Sequence, residues 1–116
     1  MGKEESEQLL NQAQLYSQQM QNIMTQKTAF AIELNEIRKS LEELHKTKEK
    51  TVFKLSGPIL IKVDIEEVKK ELQEKENMID LRVKTLEKQE ARIKERVNEL
   101  RTKLIKVPKA KDAEEE

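Results

Sequence analysis

From Leu9 onward, one position in every three or four belongs to a single ladder: Leu9, Ala13, Tyr16, Met20, Ile23, Lys27, Phe30, Leu34, Ile37, Leu41 and Leu44. All but Lys27 are apolar or aromatic. This is the 3.5-residue period of a coiled-coil seam, held over about five heptads. A second ladder of the same length runs Leu72, Glu76, Ile79, Val83, Leu86, Glu90, Ile93, Val97, Leu100, Leu104 and Val107, interrupted only by the two glutamates. The flanks of both ladders are polar, as in KTLEKQEARIKERVNELRTK, and read as solvated faces. With 35% hydrophobic, 3% aromatic and 40% charged residues, the chain has too little apolar material for a compact core. The sequence therefore predicts a mainly α chain in which two long helices, near residues 5–48 and 64–107, pack against each other.

The signals at the helix ends support these bounds. Asp64 can accept hydrogen bonds from free backbone amides while Glu67, three residues on, reaches back in a capping box, with Val63 and Val68 placed as a hydrophobic staple. Pro108 lacks an amide hydrogen and disfavours helix in the residue before it, so it marks the expected end. Residues 108–116 read as a charged, disordered tail. Helices of about 44 residues would each extend about 65 Å. If the chain folds back between them they lie antiparallel with their free ends together. Lys27 then falls near Glu87 and Glu90, where charges could fix the register or Lys27 could snorkel out of the seam.

A helical hairpin needs only a few residues to turn, yet TVFKLSGPILIKVD at residues 51–64 is rich in strand formers. Strands are expected at about 51–55 and 59–63 around the turn signal Ser56-Gly57-Pro58. Pairing about Gly57 would put Thr51, Phe53, Leu55, Ile59, Ile61 and Val63 on one nearly apolar face, and Val52, Lys54, Leu60 and Lys62 on the other. A lone two-stranded hairpin is marginal in water and has two unpaired edges. Either hairpins from several chains share a sheet or barrel, or the hairpin folds down on its own coiled coil, where Met78 and Leu81 would cover part of it.

Several functions are disfavoured by the same residues. Lys plus Arg and Asp plus Glu are equal at 23 each, so no net positive field favours nucleic acid. There is no cysteine, hence no disulfide or thiolate metal site. His45 is the only histidine and Gly57 the only internal glycine, which leaves no metal cluster and no phosphate-binding loop. No enzyme activity, metal or cofactor is expected. No apolar run reaches the roughly 18 residues of a membrane span and no signal-peptide pattern is seen, so a cytoplasmic protein is expected. Met1-Gly2-Lys3-Glu4-Glu5-Ser6 fits a loose myristoylation pattern, but its glutamates oppose an anionic leaflet and no second anchoring signal accompanies it.

At the free ends of the ladders, Leu10 and Ile105 sit beside Leu9 and Leu104 but off the seam. Helix ends also fray, which would expose Leu100 and Val107 intermittently. Leu9, Leu10, Ala13, Leu100, Leu104, Ile105 and Val107 are therefore candidates for gripping apolar segments of unfolded proteins, with affinity raised by multivalency across several tips. The alternative is that the terminal leucines only finish the coiled coil.

The order helix, hairpin, helix, the phrase VFKLSGPILIKV followed by DIEEVKKELQEK, the later LRVKTLEKQEARIKERVNELRTKL and the glutamine-rich QLLNQAQLYSQQMQNIMTQK resemble the β-type subunits of prefoldin over residues 8–107. The charged lead-in HKTKEK before the first strand departs from that pattern. A single hairpin is similar to the β-type rather than the α-type subunit. The resemblance implies a hexamer of two α-type and four β-type subunits, with hairpins forming a double β-barrel platform and six projecting coiled coils. It assigns assembly to the hairpin residues Val52, Phe53, Leu55, Ile59, Leu60, Ile61 and Val63. It also implies an ATP-independent holdase that passes unfolded clients to a group II chaperonin. Two other readings remain open: a non-chaperone coiled-coil scaffold or tether, which has no need of an apolar hairpin, and a helical arm binding RNA, like the tRNA-binding arm of seryl-tRNA synthetase, which would need a basic stripe.

Overall fold

The computed structural model of the chain describes residues 2–112, with side chains described through Leu104. Its elements follow in the order α1 (Lys3–Lys46), β1 (Thr51–Ser56), β2 (Ile59–Asp64) and α2 (Ile65–Asp112). They divide into two units: a hairpin-proximal unit of residues 27–84, and a distal unit in which the start of α1 meets the part of α2 from Thr85 onward.

In the hairpin-proximal unit, Leu34, Ile37, Leu41 and Ile79 form a buried cluster against which Phe30, Leu72 and Val83 pack. All seven are ladder residues, and the four-three spacing puts them on the facing sides of the two helices. Removing such side chains from water contributes about 1.5 to 3 kcal/mol each. Beside this seam, α1 and α2 are joined by ion pairs: Arg38 Nε donates to Glu76 Oε2 at 2.8 Å, Arg38 Nη2 lies 3.6 Å from Asp80 Oδ1, and Lys75 Nζ lies 3.4 Å from Glu33 Oε2. The hydrogen bond that Arg38 donates to Glu76 holds the Arg38 pKa above its ordinary value. Glu76, a polar member of the second ladder, is half-buried and serves here as the partner of Arg38.

The distal unit repeats the seam. Ile23, Leu86, Ile93 and Leu100 are buried, while Leu9, Ala13, Tyr16, Met20, Val97 and Leu104 are half-buried. Leu10 and Leu15, off the ladder, are exposed.

Helix α1 ends at Lys46, two residues before the expected position, and Thr47–Lys50 lead into β1. The Thr47 hydroxyl oxygen accepts a bond from the Glu49 amide at 3.2 Å, a local turn that competes with helix in the charged HKTKEK stretch. At the start of α2, Asp64 Oδ1 accepts a bond from the Glu66 amide at 2.8 Å, as expected of a cap. The Ile65 amide donates to the Lys50 carbonyl at 2.9 Å and closes the base of the hairpin. Helix α2 continues to Asp112 rather than stopping at Pro108. Pro108 therefore does not act as the expected stop, although it has no amide hydrogen to donate to the carbonyl four residues before it. Residues 113–116, the end of the expected tail, lie outside the described residues.

Candidate assembly surface and distal grooves

The hairpin corrects the expected pairing by one residue. Its register is Thr51 opposite Asp64, Val52 opposite Val63, Phe53 opposite Lys62, Lys54 opposite Ile61, Leu55 opposite Leu60, and Ser56 opposite Ile59. The turn therefore contains two residues, Gly57 and Pro58. Gly57 has φ of 61° and Pro58 fixes a negative φ after it, the combination of a type II′ turn. No side chain crowds Gly57, so its backbone angle alone calls for glycine.

Because successive side chains alternate across a strand, a slip of one residue moves a whole strand to the opposite face. Phe53 and Leu55 do not share a face with Ile59, Ile61 and Val63. One face carries Phe53, Leu55, Leu60 and Lys62, with Thr51 and Asp64 at its base. The other carries Val52, Lys54, Ser56, Ile59, Ile61 and Val63. Both faces are thus largely apolar. The second leans toward α2: Val52 and Val63 are half-buried, and Lys54 Nζ donates to both carboxylate oxygens of Glu71 at 2.9 Å. The first looks outward, with Phe53, Leu55 and Leu60 exposed at 67%, 70% and 65%. Met78 and Leu81 are themselves exposed and do not cover the hairpin, so the expected alternative of a hairpin folded down on those side chains is not the arrangement adopted. Among the described residues β1 and β2 form a two-stranded sheet with both outer edges unpaired.

At the distal end, the candidate tip residues fall into different environments. Leu10 is exposed at 58%, Leu9, Ala13 and Leu104 are half-buried, and Leu100 is buried in the seam. The side chains of Ile105 and Val107 lie outside the described residues. Leu15 is also exposed, and it falls off both the ladder and the helix terminus. Two grooves flank the seam of this unit, with volumes of about 400 and 410 Å³. The first runs between Gln19, Asn22 and Gln26 of α1 and Gln89, Arg92 and Arg96 of α2. The second lies between Tyr16 and Met20 on one side and Lys94 and Arg101 on the other. Neither groove follows from the seam ladders. Its signal in the sequence is the absence of Asp, Glu, Lys and Arg from residues 8–26.

A comparison with known families matches residues 7–110 to the prefoldin subunit family. The chain belongs to that family. Its relatives include the prefoldin subunit beta of Thermococcus onnurineus, 37% identical over 97 residues that cover 83% of this chain and 84% of the relative. The prefoldin subunit beta of Archaeoglobus fulgidus is 40% identical with the same coverage. Among solved structures, the prefoldin beta subunit from Thermococcus strain KS-1 superposes with a TM-score of 0.80 at 30% identity, covering 86% of this chain and 89% of that one. The helix, hairpin, helix order is thus the prefoldin β-type architecture. Prefoldin subunits are non-enzymatic chaperone subunits that assemble with one another. Among the described residues, no helix is long and apolar enough to cross a membrane, and no group of His, Cys, Asp and Glu is placed to hold a metal ion.

Proposed function

We propose that this prefoldin subunit is a β-type component of a cytoplasmic hexamer of two α-type and four β-type chains that holds unfolded proteins without ATP and releases them to a group II chaperonin. The exposed hairpin supports this reading most directly. With large apolar side chains on both faces and two unpaired edges, it is an incomplete sheet that neighbouring hairpins would extend and cover. Val52, Phe53, Leu55, Ile59, Leu60, Ile61 and Val63 are the proposed assembly residues.

The distal unit supplies the proposed client surface. Leu10 is already open to solvent, and Leu9, Ala13 and Leu104 become available as the helix ends fray. Leu100, Ile105 and Val107 complete the proposed set, with Leu100 contributing only when the last turns separate. Each tip would bind weakly, and several tips around one client would hold it by effective concentration.

The test is the mass of the purified chain by light scattering, alone and mixed with an α-type partner, followed by aggregation of a denatured client without nucleotide. A hexamer formed with the partner that suppresses aggregation is the expected result. A monomer or dimer indifferent to partner and client would instead favour a coiled-coil tether.

A further inference from the structure

The two units handle their charges differently. In the hairpin-proximal unit, cations on one helix meet carboxylates on the other, as in Arg38 with Glu76 and Lys75 with Glu33. In the distal unit, α2 through Leu104 carries Lys88, Arg92, Lys94, Arg96, Arg101 and Lys103 against Glu87, Glu90, Glu95 and Glu99. Residues 8–26 of α1, which pack beside this stretch, offer no carboxylate at all. Lys94 turns to Glu90 on its own helix, at 3.7 Å. Arg92 and Arg96 have no ion-pair partner among the described residues, and both line the first groove, where the opposing side chains are the amides Gln19, Asn22 and Gln26.

We propose that this groove binds an extended, acidic segment of an unfolded polypeptide, with Arg92 and Arg96 taking carboxylates and the facing amides taking peptide groups. The chemistry of the lining is complementary to that occupant. A guanidinium presents a planar fork that matches a carboxylate. A carboxamide both donates and accepts, as a peptide group does, and so pairs with a backbone of any sequence. The spacing agrees as well: Arg92 and Arg96 are four residues apart, a rise of about 6 Å along the helix. Alternate residues of an extended strand are separated by about 6.6 Å. A client with Asp or Glu at every second position would place successive carboxylates against the two arginines. Single-stranded nucleic acid fits less well, because no aromatic side chain lines this groove to stack a base.

This inference rests on the client-holding reading and adds a second client class to it. Apolar segments go to the tips, and acidic hydrophilic segments, which the tips reject, go to the groove beside them. A single client with both kinds of segment would be held at two points on one coiled coil.

The experiment uses the full chain assembled with its prefoldin partner subunits. Binding of a labelled unstructured peptide of alternating Glu and Ser is followed by fluorescence anisotropy, beside the same peptide with Gln for Glu. The R92Q/R96Q variant is compared after its mass and helicity are matched to the parent. The acidic peptide is expected to bind at least about tenfold more tightly than its Gln analogue, and to lose about tenfold in the variant, since one carboxylate and arginine contact is a charge-assisted pair. Suppression of aggregation of a neutral apolar client should be unchanged. No binding by the parent, equal binding by the variant, equal affinity for the Gln analogue, or tighter binding of an oligothymidylate of similar length would each overturn the proposal. Loss of aggregation suppression in the parent, with acidic-peptide binding intact, would overturn the client-holding function and leave the groove chemistry standing.

Discussion

Gly57 controls more of this molecule than its size suggests. Its φ of 61° falls where an L side chain is strained, and there is open space around it, so the cost of replacing it comes from the backbone alone. Gly57→Ala should destabilise the hairpin by about 1 to 3 kcal/mol, whereas Pro58→Ala, which only restores freedom to the unfolded chain, should cost less than about 1 kcal/mol. The midpoint of assembly with partner subunits, titrated by light scattering, would separate the two variants; equal midpoints would refute the turn assignment. The turn itself was legible in Ser56-Gly57-Pro58, but its length was not. The same three residues suit a three-residue loop or a two-residue one, and the usual arbiter, a single apolar face, is missing because large side chains occupy both faces. The one-residue error in register follows from that symmetry. It separates Phe53 and Leu55 from Ile59, Ile61 and Val63 while leaving every one of them on the hairpin.

At the scale of elements, the helices were readable because a four-three ladder permits few alternatives. Through Leu104, every ladder position is buried or half-buried, including Lys27, Glu76 and Glu90. Ile79 is the most enclosed of them, at 4% exposure, and faces Leu34, Ile37 and Leu41. Ile79→Ala should cost about 2 to 5 kcal/mol, read as a lowered melting temperature by circular dichroism. Glu76→Gln, which weakens a pair that is largely exposed on the Arg38 side, should cost less than about 1 kcal/mol, and less still at high salt. A comparable loss from both would mean that the seam is not the main source of stability. The element ends were less legible. Thr47 diverts the backbone into a local turn, and helix α2 runs past Pro108 to Asp112 although that proline has no amide hydrogen to donate. The distal grooves are legible only helix by helix, because charge balances over the whole chain whereas residues 8–26 carry none.

For the whole molecule, the two proposed surfaces should respond independently to substitution. Phe53→Ser with Leu60→Ser removes apolar area from the outward face of the hairpin and leaves the helix seam untouched. The expected outcome is loss of the high-mass species in light scattering with helicity retained. In the unit that contains the start of α1, Leu10→Ser with Leu15→Ser should leave assembly intact, since both side chains are already exposed, and should reduce aggregation suppression severalfold. Undiminished suppression would remove the exposed leucines from the client surface.

A hairpin apolar on both faces has one more consequence, for supply rather than for architecture. Covering one face still leaves the other wet, so a simple pair of subunits would not satisfy it. A copy made in excess of its neighbours displays strand edges and solvent-exposed Phe53, Leu55 and Leu60, the same features that mark an unfinished protein. Under the proposed client-holding function such an orphan would itself be a client of the assembly, and the cell would gain by making the subunits in proportion.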